Sequence, residues 1–416
     1  MRKSLVALLL CSIGSNVFAA DVSVSGFATV GGAMSDKSYN YQSFINENGT
    51  LRRDSLFGLQ TDIKFNEEWS ATVQGKLAQS IKSDTGIDGT LTWAFLSYRP
   101  TNDWLIRAGK LRLPMYINNE NMDVGVTYDM ARLPSEMYNI APAVDYKGIS
   151  ITKTWDIGDN ELAAEVYAGK VETTWRIYAR DDLSALGGFS KGANFFDVMY
   201  EAKGAALTYT TENDSQFKVS IHDLIGRRKD GGNIYGDFVG TAFGPSIISY
   251  NKDTSSGVSS NRALLWTIGA DLKFDDGYRV VAEYGSRETY KMPSNPNANM
   301  GYIAVFKTVD KWTPYLSAAM LKSKANTKGT YLTIDSEQSS GMTAAGNRNI
   351  ADSVTAFDQY TYSLGTSYSI SPTQKIKAEV SQVRIGAMSS FVDNPTTQRV
   401  SNERINVYSI SYSIAF

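Results

Sequence analysis

The last twelve residues, Ile405 to Phe416, constrain this chain more than any other stretch. Counting back from the end, Phe416, Ile414, Tyr412, Ile410 and Tyr408 share one parity, while Ala415, Ser413, Ser411, Ser409 and Val407 share the other. A period of two is the mark of a strand with one apolar and one polar side. Many earlier segments repeat it, so a sheet built from them has one face rich in Tyr, Ile and Val and another rich in Ser, Thr, Lys and Glu. Closing that sheet with the apolar face outward satisfies every backbone group inside lipid and leaves a wet interior. The pattern therefore predicts an all-β fold, a transmembrane antiparallel β-barrel.

Composition agrees with that expectation. No run of about 18 apolar residues exists, so a membrane helix is excluded, and alternation hides the strands from a mean hydropathy of −0.26. The 24 Tyr and 7 Trp suit strands and interfacial girdles. Met1-Arg2-Lys3, the apolar Leu5 to Ile13 and Val17-Phe18-Ala19 read as a secretory signal over residues 1–19, with the mature domain over 20–416. A lipoprotein anchor at Cys11 is the alternative, disfavoured by the bulky Leu10 before it. Cys11 is the single cysteine, so the mature chain carries no disulfide. Removing Arg2 and Lys3 from 41 basic residues leaves 39 against 43 acidic ones, a formal charge of −4 that argues against a nucleic-acid partner.

Taken in order, Val22–Met34, Ser55–Phe65, Trp69–Leu77, Leu91–Arg99 and Trp104–Lys110 read as strands. The facing of Leu91–Arg99 is open, since both parities carry aromatics. Leu111 to Lys147 then breaks the rhythm. Hairpins follow at Gly148–Lys170, Tyr200–Asp223, Leu265–Arg287 and Tyr302–Leu321, then Tyr360–Ile370, Lys375–Arg384 and the terminal strand. Long polar loops span Leu224–Arg262 and the stretch up to Asp358. The expectation is about sixteen strands, within roughly fourteen to eighteen, joined alternately by short periplasmic turns and long extracellular loops. Trp69, Trp104 and Trp312 each open a strand after a short turn, and Trp155 closes one before a turn, which marks one rim as a girdle.

The signal segment, the mature start in a strand, the hairpin rhythm, the long third loop and the terminal Phe416 together resemble the Gram-negative outer-membrane general porin family. Gly109-Lys110-Leu111-Arg112-Leu113-Pro114 is similar to the run that opens the third loop in several porin families, some of them anion- or phosphate-preferring. The resemblance implies a homotrimer of sixteen-stranded barrels, passive diffusion of small hydrophilic solutes and ions, contact with membrane lipid and lipopolysaccharide, and no cofactor. It also implies that Phe416, Ile414 and Tyr412 form a signal for the outer-membrane assembly machinery.

Segment 111–147 is the strongest functional candidate. Met115, Tyr116, Ile117, Met122, Val124, Met130, Leu133 and Met137 are too many apolar residues for a loop in water, and Pro114, Pro134 and Pro142 restrain it. The barrel interior is the surface available to it, with an extracellular lid or a trimer contact as the alternative. An inward loop places Arg112, Glu120, Asp123, Asp129 and Arg132 at a constriction, with Glu136, Asp145 and Lys147 nearby. Lys64, Lys76 and Arg107 lie on the polar parity of early strands and are expected to face those acids across the pore. Opposed charges there set a transverse field that favours polar solutes.

Catalytic readings are poorly supported. His222 is the single His, so no two-His metal site and no H-E-x-x-H exist, and G-x-S-x-G is absent. A hydrolase would have to use His222, near a strand end on the parity of Lys218 and Ser220. The Gly-Lys pairs lack the earlier glycine of a phosphate loop, and Asp181-Asp182 offers at most a weak surface Ca²⁺ site. The alternatives to general diffusion are a porin selective for anions, phosphate or sugars, an outer-membrane enzyme, and a structural or adhesive barrel.

Overall fold

The alternating segments pair into one closed antiparallel barrel. The computed structural model describes residues 20–416 apart from 140, 142–143, 187, 230, 232–237, 241–247, 251–258, 291–295, 336–340 and 397. The expected signal segment 1–19 and Pro142 lie outside the described residues. In chain order the strands are β1 (Asp21–Ser35), β2 (Leu56–Lys64), β3 (Trp69–Gln79), β4 (Ile87–Thr101), β5 (Trp104–Arg112), β6 (Asp145–Ile157), β7 (Asn160–Ala179), β8 (Gly192–Thr210) and β9 (Gln216–Arg228). After a small separate pair, β10 (Phe238–Gly240) and β11 (Ile248–Tyr250), come β12 (Asn261–Lys273), β13 (Tyr278–Tyr290), β14 (Ala298–Lys307), β15 (Trp312–Ser323), β16 (Phe357–Ser371), β17 (Gln374–Ser389) and β18 (Arg404–Ala415).

Each barrel strand pairs with its neighbours in sequence, and β1 closes the ring against β18, giving sixteen strands. The seam is in register from Phe27 opposite Ala415 to Ser35 opposite Val407. Phe416 extends it: its N–H donates to Gly26 O at 2.9 Å and its carbonyl accepts from Gly26 N–H at 2.7 Å. Its ring covers Gly26 so closely that a Cβ there would meet the ring carbons at 2.5 Å. Tyr408, Ile410, Tyr412 and Phe416 are exposed on the outer face, as a lipid-facing parity requires.

Trp69, Trp104, Trp155 and Trp312 are also exposed, all beside short turns. Trp69 stacks on Tyr98 with centroids 4.4 Å apart, and Trp312 lies 4.7 Å from Tyr368. This aromatic belt fixes one interface of the barrel at its short-turn end.

Three differences from the sequence reading have local causes. Facing in β4 was unreadable because a bulge at Thr92 shifts the register between Gln74 opposite Trp93 and Gly75 opposite Leu91. Leu91 and Leu96 both face outward across that bulge, so parity switches inside the strand. Strands β7 and β8 run well past the predicted Lys170 and Tyr200, remaining paired from Lys170 opposite Glu201 out to Ala179 opposite Gly192.

The polar loop expected before Asp358 contains two helices, α2 (Ala325–Ile334) and α3 (Gly341–Ser353), after a short α1 (Ser135–Tyr138) in the third long connection. Tyr331, Ile334, Ala351, Val354 and Ala356 pack together with Met388. Arg180, just past β7, ties these helices down: it reaches Asp335 at 2.7 Å and Asp352 at 2.8 Å. Arg348 grips Asp181 with two hydrogen bonds, so Asp181 is held in an ion pair rather than in a cation site. Strands β7 and β16 stand on opposite sides of the ring, so the two helices roof the long-connection mouth.

Candidate functional site

Segment 113–144, the third long connection, crosses the lumen. Its apolar residues Leu113, Met115, Tyr116, Met130, Met137 and Tyr138 are buried against inward side chains of distant strands, among them Tyr167, Leu265, Met300, Tyr302, Phe306 and Tyr315. Burying several large side chains at about 1.5–3 kcal/mol each gives the loop a fixed seat rather than a mobile one.

Polar contacts pin it at points around the wall. Met115 O accepts from Thr267 Oγ1 at 2.6 Å and Ser220 Oγ at 3.2 Å, and Tyr116 O from Lys218 Nζ at 3.1 Å. Glu283 is a hub, accepting from Ile117 N–H at 2.9 Å, Tyr138 Oη at 2.5 Å and Tyr302 Oη at 2.8 Å. Tyr315 Oη accepts from Ala131 N–H at 2.9 Å and donates to Glu379 at 2.7 Å. Glu136, buried in α1, accepts from Gln359 at 2.7 Å and from Thr361. Gly125 touches the seam itself, where a Cβ would collide with the Ser413 and Thr29 hydroxyls.

Most of the charges singled out in the sequence serve this seating. Arg112, with its side chain 3% exposed, bridges Asp123 at 2.9 Å and Asp145 at 3.0 Å. Lys76 reaches Asp123 from the wall at 2.7 Å. Burial pushes the Asp123 carboxyl up, but Lys76 and Arg112 together outweigh it and hold it at about 2. Asp129 sits between Lys375 at 2.7 Å and Arg279 at 3.5 Å and accepts from Ser367 at 2.8 Å. Arg132 pairs with Asp54.

Glu120 is different. Its side chain is 66% exposed and lies 4.0 Å from Arg107, whose other guanidinium nitrogen lies 3.3 Å from Glu165. Lys64 does not join the group. It lies at the short-turn end of β2 and pairs with Glu67 at 2.9 Å, both largely exposed, because a residue next to a tight turn stands at the rim whatever its parity. Glu283, Glu379, Lys218, Lys375 and Lys377 were missed; each is a charge on the inward parity of a strand, a signal the sequence does carry.

Between this loop and the roof lies a vestibule of about 330 Å³, bordered by Arg53, Trp175, Tyr178, Tyr200, Arg287 and Phe391. His222, expected near a strand end, is in the middle of β9 and fully buried. Its ring nitrogens lie 2.7 Å from Tyr167 Oη and 2.8 Å from Ser220 Oγ. Among the described residues no cluster of potential ligands could hold a metal ion.

The chain thus forms a closed sixteen-stranded antiparallel barrel with an outward aromatic belt, crossed from within by its third long connection. Neither a protein-family model nor a curated protein sequence matches this chain. Solved structures do. The anion-selective porin from Comamonas acidovorans superposes with a TM-score of 0.53 at 10% identity, covering 95% of this chain and 100% of that one. The outer membrane channel DcaP of Acinetobacter baumannii gives 0.52 at 12% identity, over 95% and 97% of the two chains. The outer-membrane expressed OmpT of Vibrio cholerae gives 0.51 at 12% identity, over 97% and 99%. At these identities the likeness is one of fold, and it extends over nearly the whole barrel.

Proposed function

We propose that this protein is an outer-membrane diffusion channel for small hydrophilic solutes and ions, with the third loop, segment 113–144, as its constriction. The observation that carries the reading is a lipid-facing apolar surface around a polar interior, crossed by a loop that leaves Glu120 exposed. In this reading the long connections are extracellular and the short turns periplasmic. Residues 1–19 direct export, Phe416, Ile414 and Tyr412 address the assembly machinery, and the barrel works as a homotrimer among lipid and lipopolysaccharide. Arg112, Asp123, Asp129 and Arg132 hold the loop in place, whereas Glu120 and Arg107 act on passing ions. Transport needs no cofactor and no covalent step.

The vestibule favours a second reading, selectivity for anions or sugars. Arg53 and Arg287 border it beside aromatic rings that suit apolar or ring-shaped solutes. The hydrolase reading has little support. His222 is buried under the loop that Ser220 itself holds, and the partner of its other nitrogen is Tyr167, not a carboxylate.

Reconstitution of the purified barrel in a planar bilayer tests the proposal. Stepwise conductance that scales with salt is expected, with a reversal potential in a salt gradient that reports the ion preference. Folded barrel that inserts without conductance steps would overturn the channel reading. Strong anion preference, together with block by a small organic anion, would select the second reading.

A further inference from the structure

The vestibule between the third loop and the roof has two aromatic walls. Trp175 and Tyr178 on the extended end of β7 and Tyr200 on β8 form one; Phe357, which opens β16, and Phe391, just past β17, form the other. Within each wall the rings lean on one another, Trp175 6.3 Å from Tyr200 and Phe357 4.9 Å from Phe391 between centroids. Arg176, next to Trp175, reaches Asp393, two residues past Phe391, at 2.8 Å. At that point the walls stand within one arginine side chain of each other. The volume of about 330 Å³ is at the small end of ligand sites, roughly 300–1,000 Å³, and suits a solute of one or two rings rather than a long chain.

Much of the remaining border is polar. Ser43, Asn139, Ser353, Thr355 and Asn394 bring hydroxyl and amide groups to it. A bare aromatic solute would strip water from such groups and return no hydrogen bond. A hydroxylated ring uses both kinds of surface, its C–H faces against the aromatic walls and its hydroxyl edge against the amides and hydroxyls.

Charge then selects among hydroxylated rings. Arg176 is saturated, with two hydrogen bonds to Asp84 and two to Asp393. Asp352, the one acid on the border among the described residues, is taken by Arg180 at 2.8 Å. Arg53 is a cation without a carboxylate partner. Its Nε donates to Gln42 Oε1 at 2.8 Å, and among the described residues it forms no ion pair. Gln42 N–H donates to Phe391 O at 2.6 Å, which fixes Arg53 beside that wall. Burial lowers the proton affinity of Arg53 and the nearby Arg132 lowers it further, against the opposing pull of Asp54 and Tyr41. A carboxylate brought in by a solute supplies the missing counter-charge in the geometry a guanidinium favours.

We propose that the vestibule is a binding site for an acidic monosaccharide of the uronate type, with its ring between the Trp175–Tyr200 wall and Phe391 and its carboxylate on Arg53. The assignment rests on the anion-or-sugar reading above and narrows it to solutes that are both.

Isothermal titration calorimetry of the folded barrel in detergent tests it, with D-galacturonate, D-galactose, benzoate and inorganic phosphate as the probes. Galacturonate should bind at least about tenfold more tightly than each of the other three, a difference worth about 1.4 kcal/mol. Arg53→Gln should bring galacturonate down to the level of galactose, and Arg53→Lys, which keeps the charge but not the forked donors, should retain part of the preference. Trp175→Leu should weaken galacturonate by roughly fivefold, as the loss of a ring face does. Galactose as tight as galacturonate would overturn the proposal. Benzoate or phosphate as tight would reduce the vestibule to a site for any aromatic or free anion and overturn it too. So would galacturonate affinity unchanged in Arg53→Gln and in Trp175→Leu, each folded by its heat-modifiable mobility. Calorimetry and reversal potential fail separately. An anion-preferring channel that binds no galacturonate keeps the selectivity reading and refutes this site, whereas a barrel that binds galacturonate but passes no current supports the site and refutes the channel.

Discussion

Replacing Asp123 with Asn separates a seated third loop from one that merely lies in the lumen. Asp123 receives Lys76 at 2.7 Å and Arg112 at 2.9 Å, and its carboxyl is held at about 2 against an ordinary 3.8. That difference corresponds to roughly 2 kcal/mol favouring the docked loop at neutral pH. Arg112 is buried but keeps Asp145 as its remaining acid, so the loss stays near that value, below the about 3–5 kcal/mol of a buried charge left without any partner. Hydrogen–deuterium exchange over residues 113–127 of the folded barrel reads the open population. Asp123→Asn should speed it at least about thirtyfold at pH 7. The sign of the pH effect follows from the depressed carboxyl. In the parent protein docking is fully supported above about 3.8 and is lost as pH falls through about 2. Intrinsic-rate-corrected exchange should be flat from pH 7 to 5 and rise steeply below 3. Exchange in Asp123→Asn within twofold of the parent at pH 7 would refute the seating.

Three further outcomes follow from other contacts. Glu120→Gln should move the reversal potential toward anions and Arg107→Gln toward cations, each by roughly two- to fivefold in permeability ratio and less at high salt; Lys64→Gln, at the rim, should move neither. Deleting Phe416 removes two seam hydrogen bonds with Gly26, worth about 0.5–1.5 kcal/mol each, and should reduce the heat-modifiable folded fraction; unchanged mobility on unheated gels would contradict this. Arg180→Gln leaves Asp352 buried without its cation, at a cost of about 3–5 kcal/mol, while Asp335 keeps Arg399 at 2.9 Å; added protease should cut residues 325–353 on intact cells much faster while the barrel stays folded.

How far the sequence could be read depended on whether each constraint was local. Alternation in β2, β3, β16 and β18 was legible because lipid demands apolar side chains at every second position. It failed in β4 because one bulged residue, Thr92, reverses parity without any change in composition. Helix α2 buries Thr327, Tyr331 and Ile334, a helical spacing, but Gly329, Thr330 and Thr333 weaken its propensity and made the stretch read as loop. The apolar content of the third loop announced that it packs on something. Its partners could not be read, because Ile117 meets Glu283 166 positions away and Asp129 meets Lys375 246 positions away. Lys64 illustrates the opposite limit. Its parity pointed inward correctly, yet height along the barrel axis, which parity does not encode, decides whether an inward residue meets the loop.

The contact of Gly125 with Thr29 and Ser413 gives the loop a mechanical part to play. Those two side chains belong to the first and last strands, and their hydroxyls lie 2.9 Å apart across the join. The loop also holds Asp54, just before β2, through Arg132 and β17 through Asp129, so both flanks of the join are fastened to one inner strut. Peeling β18 away from β1 then requires tearing that strut loose as well. A line that is only two strands zipped together in an empty cylinder is here riveted from within, and the cylinder should split elsewhere first when it is pulled apart.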